Sequence, residues 1–190
     1  ARKLPPSLTS NCQRDRLLSP EKILFYIYAV LYAPAYREQY SEFLKSDFPR
    51  VPFTADAALF ESFSKLGERL VSLHLLEGKE IASPDAKFQG KGVSRIARSK
   101  KEFRYEPEEQ RVYINKDQYF GPVTKEAWGY QIGGYQTLSK WLKDRKERVL
   151  TSEAIKTYCR IVTAINRTLE IQKEIDKLYS KIEKNLLELN

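Results

Sequence analysis

The sequence predicts a helix-rich α+β chain: an N-terminal helical bundle, a small antiparallel β insertion and a long C-terminal helix. Three observations predict it. Apolar residues recur at three- and four-residue spacing through most of the first 80 positions. After Glu77-Gly78 that period gives way to glycines, basic residues and short alternating runs. Helical spacing then returns at Thr151 and continues almost to the end. The 190 residues suit one domain with an appended helical element, and 42% hydrophobic with 12% aromatic content excludes global disorder.

Residues 1–19 are rich in Pro, Ser and Arg, include Pro5-Pro6 and lack periodicity, so they read as a linker or arm. Ser19-Pro20-Glu21 has the order of a helix start: N-cap, proline at the first helical position, acid in the first turn. Ile23 through Tyr32 is apolar or aromatic on every side, which predicts a central helix buried all round. Ala33-Pro34 interrupts it, and a second helix is expected through Tyr36, Tyr40, Phe43 and Leu44, ending at a turn bracketed by Pro49 and Pro52. Leu59, Phe60, Phe63, Leu66, Leu70, Leu73 and Leu76 predict a third helix over roughly 55–76.

Phe103-Arg104-Tyr105 and Arg111 to Asn115 alternate on either side of the acidic turn Glu106-Pro107-Glu108-Glu109, a hairpin signal. Tyr119-Phe120 and the stretch around Trp128, Tyr130 and Ile132 are candidates for further strand, and Tyr135, Leu138, Trp141 and Leu142 step along one helical face. Thr151-Ser152-Glu153 starts the last helix, with a hydroxyl to cap amides and an acid against the dipole. Its stripe runs Ile155, Tyr158, Val162, Ile165, Leu169, then Ile175, Leu178, Ile182, Leu186 and Leu189, interrupted by Gln172 and Asp176. The first half is expected on the core and the second as a projecting, coiled-coil-like arm. The expected division is 1–19 as arm, 20–150 as domain core and 151–190 as the long helical segment.

Several chemistries are excluded. Cys12 and Cys159 cannot build a four-ligand zinc site, and there is no Cys-x-x-Cys, phosphate loop or His-Glu-x-x-His. No metal, cofactor or catalytic residue is expected. The only histidine, His74, sits in an apolar helical stripe and reads as a packed helix histidine, and Cys159 as a small buried apolar residue. No run approaches the ~18 apolar residues that cross a bilayer, and the thiol usage predicts a reducing, cytoplasmic compartment. Phe88-Gln89-Gly90-Lys91-Gly92 has the Phe-x-Gly-x-Gly shape of S-adenosylmethionine-dependent methyltransferases, whose glycines follow a strand and open a helix. No apolar strand precedes it here, so a mobile glycine-rich loop is expected.

The positive signal is charge. The chain has 33 Lys and Arg against 25 Asp and Glu, a net +8 that favours a polyanionic partner. Lys87, Lys91, Arg95, Arg98, Lys100, Lys101 and Arg104 cluster with Glu102 as the single acid among them. A second group, Lys140, Lys143, Arg145, Lys146 and Arg148, follows Tyr130, Gln131 and Tyr135 around Gly133-Gly134. Cations of this density suit phosphate contact, Arg suits guanine edges and Gln suits adenine. The candidate DNA-contacting residues are Lys91, Arg95, Arg98, Lys100, Lys101, Arg104, Tyr130, Gln131, Tyr135, Lys140, Lys143, Arg145, Lys146 and Arg148. The plainer alternatives are a solvated loop for the first group and cations closing a helix for the second.

Longer strings carry a resemblance. Tyr26 to Arg37, Phe43 to Pro52, Arg111 to Asn115, Gln118-Tyr119-Phe120, and Tyr130 to Tyr135 leading into Lys140 to Lys146 resemble, in that order, the C-terminal specificity region of Type ISP restriction–modification enzymes. The resemblance spans about 20–170 and implies a non-catalytic target recognition domain that reads double-stranded DNA. The parent polypeptide it implies joins a nuclease, an ATP-driven motor and an N6-adenine methyltransferase, which receives the site and flips the adenine out. Two other readings stay open: an assembly module whose long helix docks a partner domain, with incidental DNA contact, and a single-strand or RNA binder using exposed tyrosines.

Overall fold

The computed structural model describes residues 19–99 and 101–187, so the arm before Ser19, Cys12, Lys100 and Leu189 lie outside the described residues. The chain is α+β and helix-rich, with a small antiparallel sheet and a long C-terminal helix. It forms two compact units: residues up to Leu75 together with those from Glu170, and Leu76–Leu169.

The first unit is helical. Helix α1 (Pro20–Tyr32) starts as expected at Ser19, whose hydroxyl accepts the Lys22 N–H at 3.4 Å. It is not buried all round. Tyr26, Ala29 and Val30 are enclosed while Leu24 stays 57% exposed, because so small a unit has too few elements to surround one of its own helices. The expected second helix is two short ones, α2 (Pro34–Gln39) and α3 (Phe43–Ser46). Of its four apolar positions Tyr36 alone is buried, so no continuous apolar face holds the segment as one helix. Helix α4 (Ala57–His74) matches the third expected stripe and is capped by Asp56, which accepts from Ala58 and Leu59.

Aromatic rings fill this core. Tyr26 lies against Phe53, Phe60 and Phe63, and its hydroxyl donates to the Pro52 carbonyl at 2.8 Å. Tyr36 likewise donates to Arg50 at 3.0 Å, so two buried tyrosines hold the proline-bracketed turn. The His74 ring sits 2.7 Å from the Tyr28 hydroxyl through Nδ1, and burial lowers its pKa.

The last helix, α7 (Ser152–Glu183), contributes to both units. Its second half does not project: Ile171, Ile175, Tyr179 and Ile182 are buried with the first unit's helices. The two polar interruptions have a structural use. Gln172 Nε2 donates to the Tyr32 carbonyl at 3.0 Å, and Asp176 accepts the Ala35 N–H at 3.1 Å. The break between α1 and α2 orphans these backbone groups, and the two side chains satisfy them.

The second unit contains the sheet. Strands β1 (Lys87–Gln89), β2 (Arg104–Glu106), β3 (Arg111–Tyr113) and β4 (Tyr119–Gly121) are antiparallel in the order β1-β4-β3-β2. The predicted hairpin is β2–β3, with β4 the anticipated extra strand. Phe88, Phe120, Val112 and Tyr105 are register neighbours on one face. They pack towards the first half of α7, with Phe120 4.3 Å from the Tyr158 ring. Trp128 lies in helix α5 (Lys125–Gly129) rather than a strand, because Thr124 caps an amide there and starts a helix. A small ribbon, β5 (Gln131–Ile132) with β6 (Tyr135–Gln136), leads directly into helix α6 (Thr137–Lys143).

Strand β1 was not anticipated, and it revises the reading of the glycine segment. A strand does precede Gly90, but no helix follows Gly92, so the methyltransferase arrangement is half present. Nor is the segment loose. Gly90 has φ +104, and a Cβ there would lie 2.2 Å from the Asp117 carbonyl oxygen.

Gly67 gives this fold a test. In a helix interior, Gly to Ala normally gains about 1 kcal/mol. Here the added Cβ would sit 1.8 Å from the Phe25 carbonyl oxygen, backbone that cannot swing aside. Overpacking of about 1–3 kcal/mol reverses the sign, so G67A is expected to lower the urea unfolding midpoint.

Candidate nucleic-acid interface

The second unit holds nearly all the excess charge. Residues 76–169 contain 19 Lys and Arg against 12 Asp and Glu, a net +7 of the chain's +8. The remainder, 14 against 13, is close to neutral. The two basic groups of the sequence both fall in this unit.

Backbone pairing joins them. Ile96 N–H donates to the Arg148 carbonyl at 3.0 Å, Glu147 N–H to Ile96 at 2.9 Å, and Leu150 N–H to Ser94 at 2.8 Å. Arg95 faces Val149 across this short antiparallel pairing, and Arg95 Nη1 reaches the Glu147 carbonyl at 2.6 Å. On its other side the 94–97 segment is fixed where Ala97 N–H donates to Ile114 at 2.7 Å. Ile96 and Leu150 point into the core and anchor both segments. Residues some 50 positions apart thus become neighbours through backbone bonds, which leave most of the long cationic side chains free.

Two amides that the sequence reading passed over hold the basic loop in place. Asn115 Nδ2 donates to the Arg95 carbonyl at 3.0 Å and to Gln118 Oε1 at 2.9 Å. Asn115 Oδ1 accepts the Asp117 and Gln118 N–H groups at 3.0 and 2.8 Å, forming a side-chain turn. Gln118, itself buried, donates from Nε2 to Gly92 at 3.3 Å. The signal was an Asn-Lys-Asp-Gln turn directly after a strand.

The candidate cations divide by partner. Arg104 packs 4.3 Å over the Tyr113 ring and pairs with Glu106 at 2.6 Å. Arg145 lies 3.7 Å over Trp141 and donates to that residue's carbonyl at 2.9 Å. Lys140 bonds both Asp144 oxygens at 2.8 Å. These three brace the surface. Lys91, Arg98, Lys101, Lys143, Lys146 and Arg148 have no ion-pair partner among the described residues. Lys100 lies outside them.

Tyr130, Gln131 and Tyr135 gather on the β5–β6 ribbon. Its turn, Gly133-Gly134, has φ of +57 and +81, the two left-handed positions of a tight hairpin that favour glycine. Gln131 and Tyr135 are exposed, whereas Tyr130 is half-buried. The Cys159 thiol, in this unit's core, is pushed up to about 11 by burial and stays protonated at neutral pH. Among the described residues no three His, Cys, Asp or Glu side chains are grouped to hold a metal ion, and no helix is long and apolar enough to cross a membrane.

An α+β chain with its positive charge gathered on one unit fits the class of domains that meet a polyanion. A family model described as the Type ISP C-terminal specificity domain matches residues 3–174, and the chain belongs to that family. No curated protein matches it. Among solved structures, the cryo-EM DrdV–DNA complex superposes with TM-score 0.65 at 24% identity, covering 89% of this chain and 19% of that one. The ATP-dependent Type ISP restriction–modification enzyme LlaBIII bound to DNA gives 0.61 at 18% identity, covering 88% and 12%. A nuclease-deletion mutant of the Type ISP enzyme LlaGI, in complex with a DNA substrate mimic, gives 0.59 at 18%, covering 83% and 14%. These likenesses establish the fold, and this chain spans 12–19% of the length of those proteins.

Removing the Gln118 side chain tests the positioning role of the amides. Q118A removes the bonds to the Gly92 carbonyl and the Asn115 amide and vacates a buried polar position, a loss of about 1–3 kcal/mol. Hydrogen exchange of the Ile96 and Ala97 amides is expected to accelerate while the helical unit's amides keep their protection.

Proposed function

We propose that this chain is the target recognition domain of a restriction–modification enzyme and that residues 76–169 read double-stranded DNA in a sequence-specific manner. The observation that carries this reading is the backbone pairing of 94–97 with 147–150, which merges two basic groups into one surface. Family membership supports it, as do DNA-bound neighbours of the same fold. In this reading Lys91, Arg98, Lys101, Lys143, Lys146 and Arg148 meet phosphates and set the register. Gln131 and Tyr135 reach base edges, and Arg95, held by the Glu147 carbonyl, joins Arg104, Lys140 and Arg145 in keeping the surface in shape. The rest of the parent polypeptide supplies the nuclease, the motor and the N6-adenine methyltransferase that receives the presented site. Catalysis belongs to those parts, not to this domain.

Duplex binding across a salt series checks the assignment. Each phosphate-contacting cation removed is expected to reduce the slope of log K against log salt by about 1. R98Q and R148Q should each do so, whereas R104Q, already paired with Glu106, should leave the slope nearly unchanged. Equal slopes for all four proteins, including the unsubstituted one, would place DNA elsewhere.

A docking role rests on a different observation, in the other unit. That unit is close to neutral and leaves Phe48 88% exposed, with Tyr40, Phe43 and Leu24 also open. An apolar, weakly charged surface suits contact with the remainder of the same polypeptide. F48D is expected to leave the thermal midpoint of this domain unchanged and to increase protease cleavage at its junction in the intact enzyme. Unaltered cleavage would remove Phe48 from the interface.

A further inference from the structure

We propose that the Gln131–Gln136 ribbon enters the DNA major groove tip-first, with Ile132 and Tyr135 against a thymine methyl on one face and Gln131, on the other, against the adenine of a neighbouring A·T pair. This deepens the recognition reading above and rests on it. The geometry comes first. Ile132 and Tyr135 are opposite each other in the antiparallel register, directly beside the turn, so they share one face of the ribbon. Gln131 and Gln136 form the next pair and share the other face. A two-stranded ribbon is the size of element that the major groove admits.

Exposure comes second. Ile132 is 49% and Tyr135 63% exposed, although the unit has a large apolar core that takes in or packs against Phe120, Trp128, Trp141 and Tyr158. The ribbon is nevertheless firmly based. Thr137 N–H donates to the Tyr130 carbonyl at 3.1 Å across its root, and β6 runs without a gap into α6. At the tip, a Cβ added to Gly133 or Gly134 would meet nothing within 4 Å. Those glycines are therefore required by their positive φ, not by packing, and the space beyond them is open to a ligand.

Charge selects the partner. The Lys140 ammonium lies 5.7 Å from the Tyr135 ring centroid, and unpaired Lys143, Lys146 and Arg148 follow on the same stretch of chain. An apolar tip beside Lys140 and Lys143, in the unit carrying +7, suits a groove floor between two phosphate backbones better than a protein surface. The side chains then select the base pair. Gln presents a donor and an acceptor matching adenine N6 and N7, and apolar groups favour the thymine C5 methyl over the bare edge of cytosine.

The experiment has two stages. The 190-residue chain and an I132A/Y135A variant are each used to select duplexes from a random pool. On the site enriched by the unsubstituted chain, each thymine is then replaced singly by deoxyuridine, which removes only the methyl. The expected result is an A·T pair at which deoxyuridine weakens the unsubstituted chain about fivefold or more. The variant should lose its preference at that pair, become indifferent to the missing methyl and keep its salt slope. Q131A should relax a neighbouring A·T position and leave the deoxyuridine effect in place. The substituted side chains are exposed, so thermal midpoints should match and folding is not confounded. A variant that selects the same site with the same preferences overturns the proposal. So does one that weakens equally on every sequence with a shallower salt slope, which would mark a phosphate contact. If the unsubstituted chain binds DNA but enriches no sequence, the recognition reading itself fails, and the ribbon proposal with it.

Discussion

Pairing of residues 94–97 with 147–150 is the constraint on which the basic surface depends. Before it forms, the chain has two separate charged runs, one in a glycine-containing connection and one trailing a short helix. Bringing them together is opposed by like-charge repulsion, about 0.5 kcal/mol per pair for cations on the order of 8 Å apart in water. Burial of Ile96 and Leu150, one from each segment, contributes about 1.5–3 kcal/mol apiece. Burial wins, and the backbone bonds set the register. A surface assembled against its own repulsion becomes more favourable when a polyanion supplies the missing negative charge.

Polar residues that look like faults in the apolar pattern turn out to be fasteners. Gln172 and Asp176 break the stripe of the last helix, yet each satisfies a backbone group orphaned where α1 gives way to α2. Asn115 and Gln118 do the same for the turn that supports the basic loop. Cations follow a related division. Arg104 and Arg145 lie over aromatic rings and act as braces, which leaves the unpaired lysines and arginines around them standing clear. Ring-stacked Arg and solvated Lys look alike in a count of charge, but they differ in how readily they turn towards a phosphate.

The units differ in what they expose. One has nearly all the excess charge and a ribbon with apolar and amide faces; the other is close to neutral and leaves aromatic rings open. Under the proposed function that contrast gives DNA to the charged unit and the body of the parent protein to the other.

Much of this was legible in the residues alone. Ser19-Pro20-Glu21 marked a helix start, the stripe from Leu59 to Leu73 marked α4, and alternation around an acidic turn marked the β2–β3 hairpin, because caps and periods act over a few neighbouring residues. The long strings from Tyr26 to Lys146 carried the family. Other features were settled by tertiary structure. Strand β1 has only Phe88 as an inward apolar residue and exists because β4 lies beside it. The outer face of α1 reads as core from its composition, but burial depends on what packs against it. The second half of α7 is drawn to the helical unit by Ile171, Ile175, Tyr179 and Ile182, with the Tyr179 ring against Tyr36, far earlier in the chain. Local sequence determines which elements form, because propensity and period are short-range. Which charges end up side by side is decided by long-range backbone pairing, which depends on burying Ile96 and Leu150 in one core, a contact that no short stretch of sequence displays.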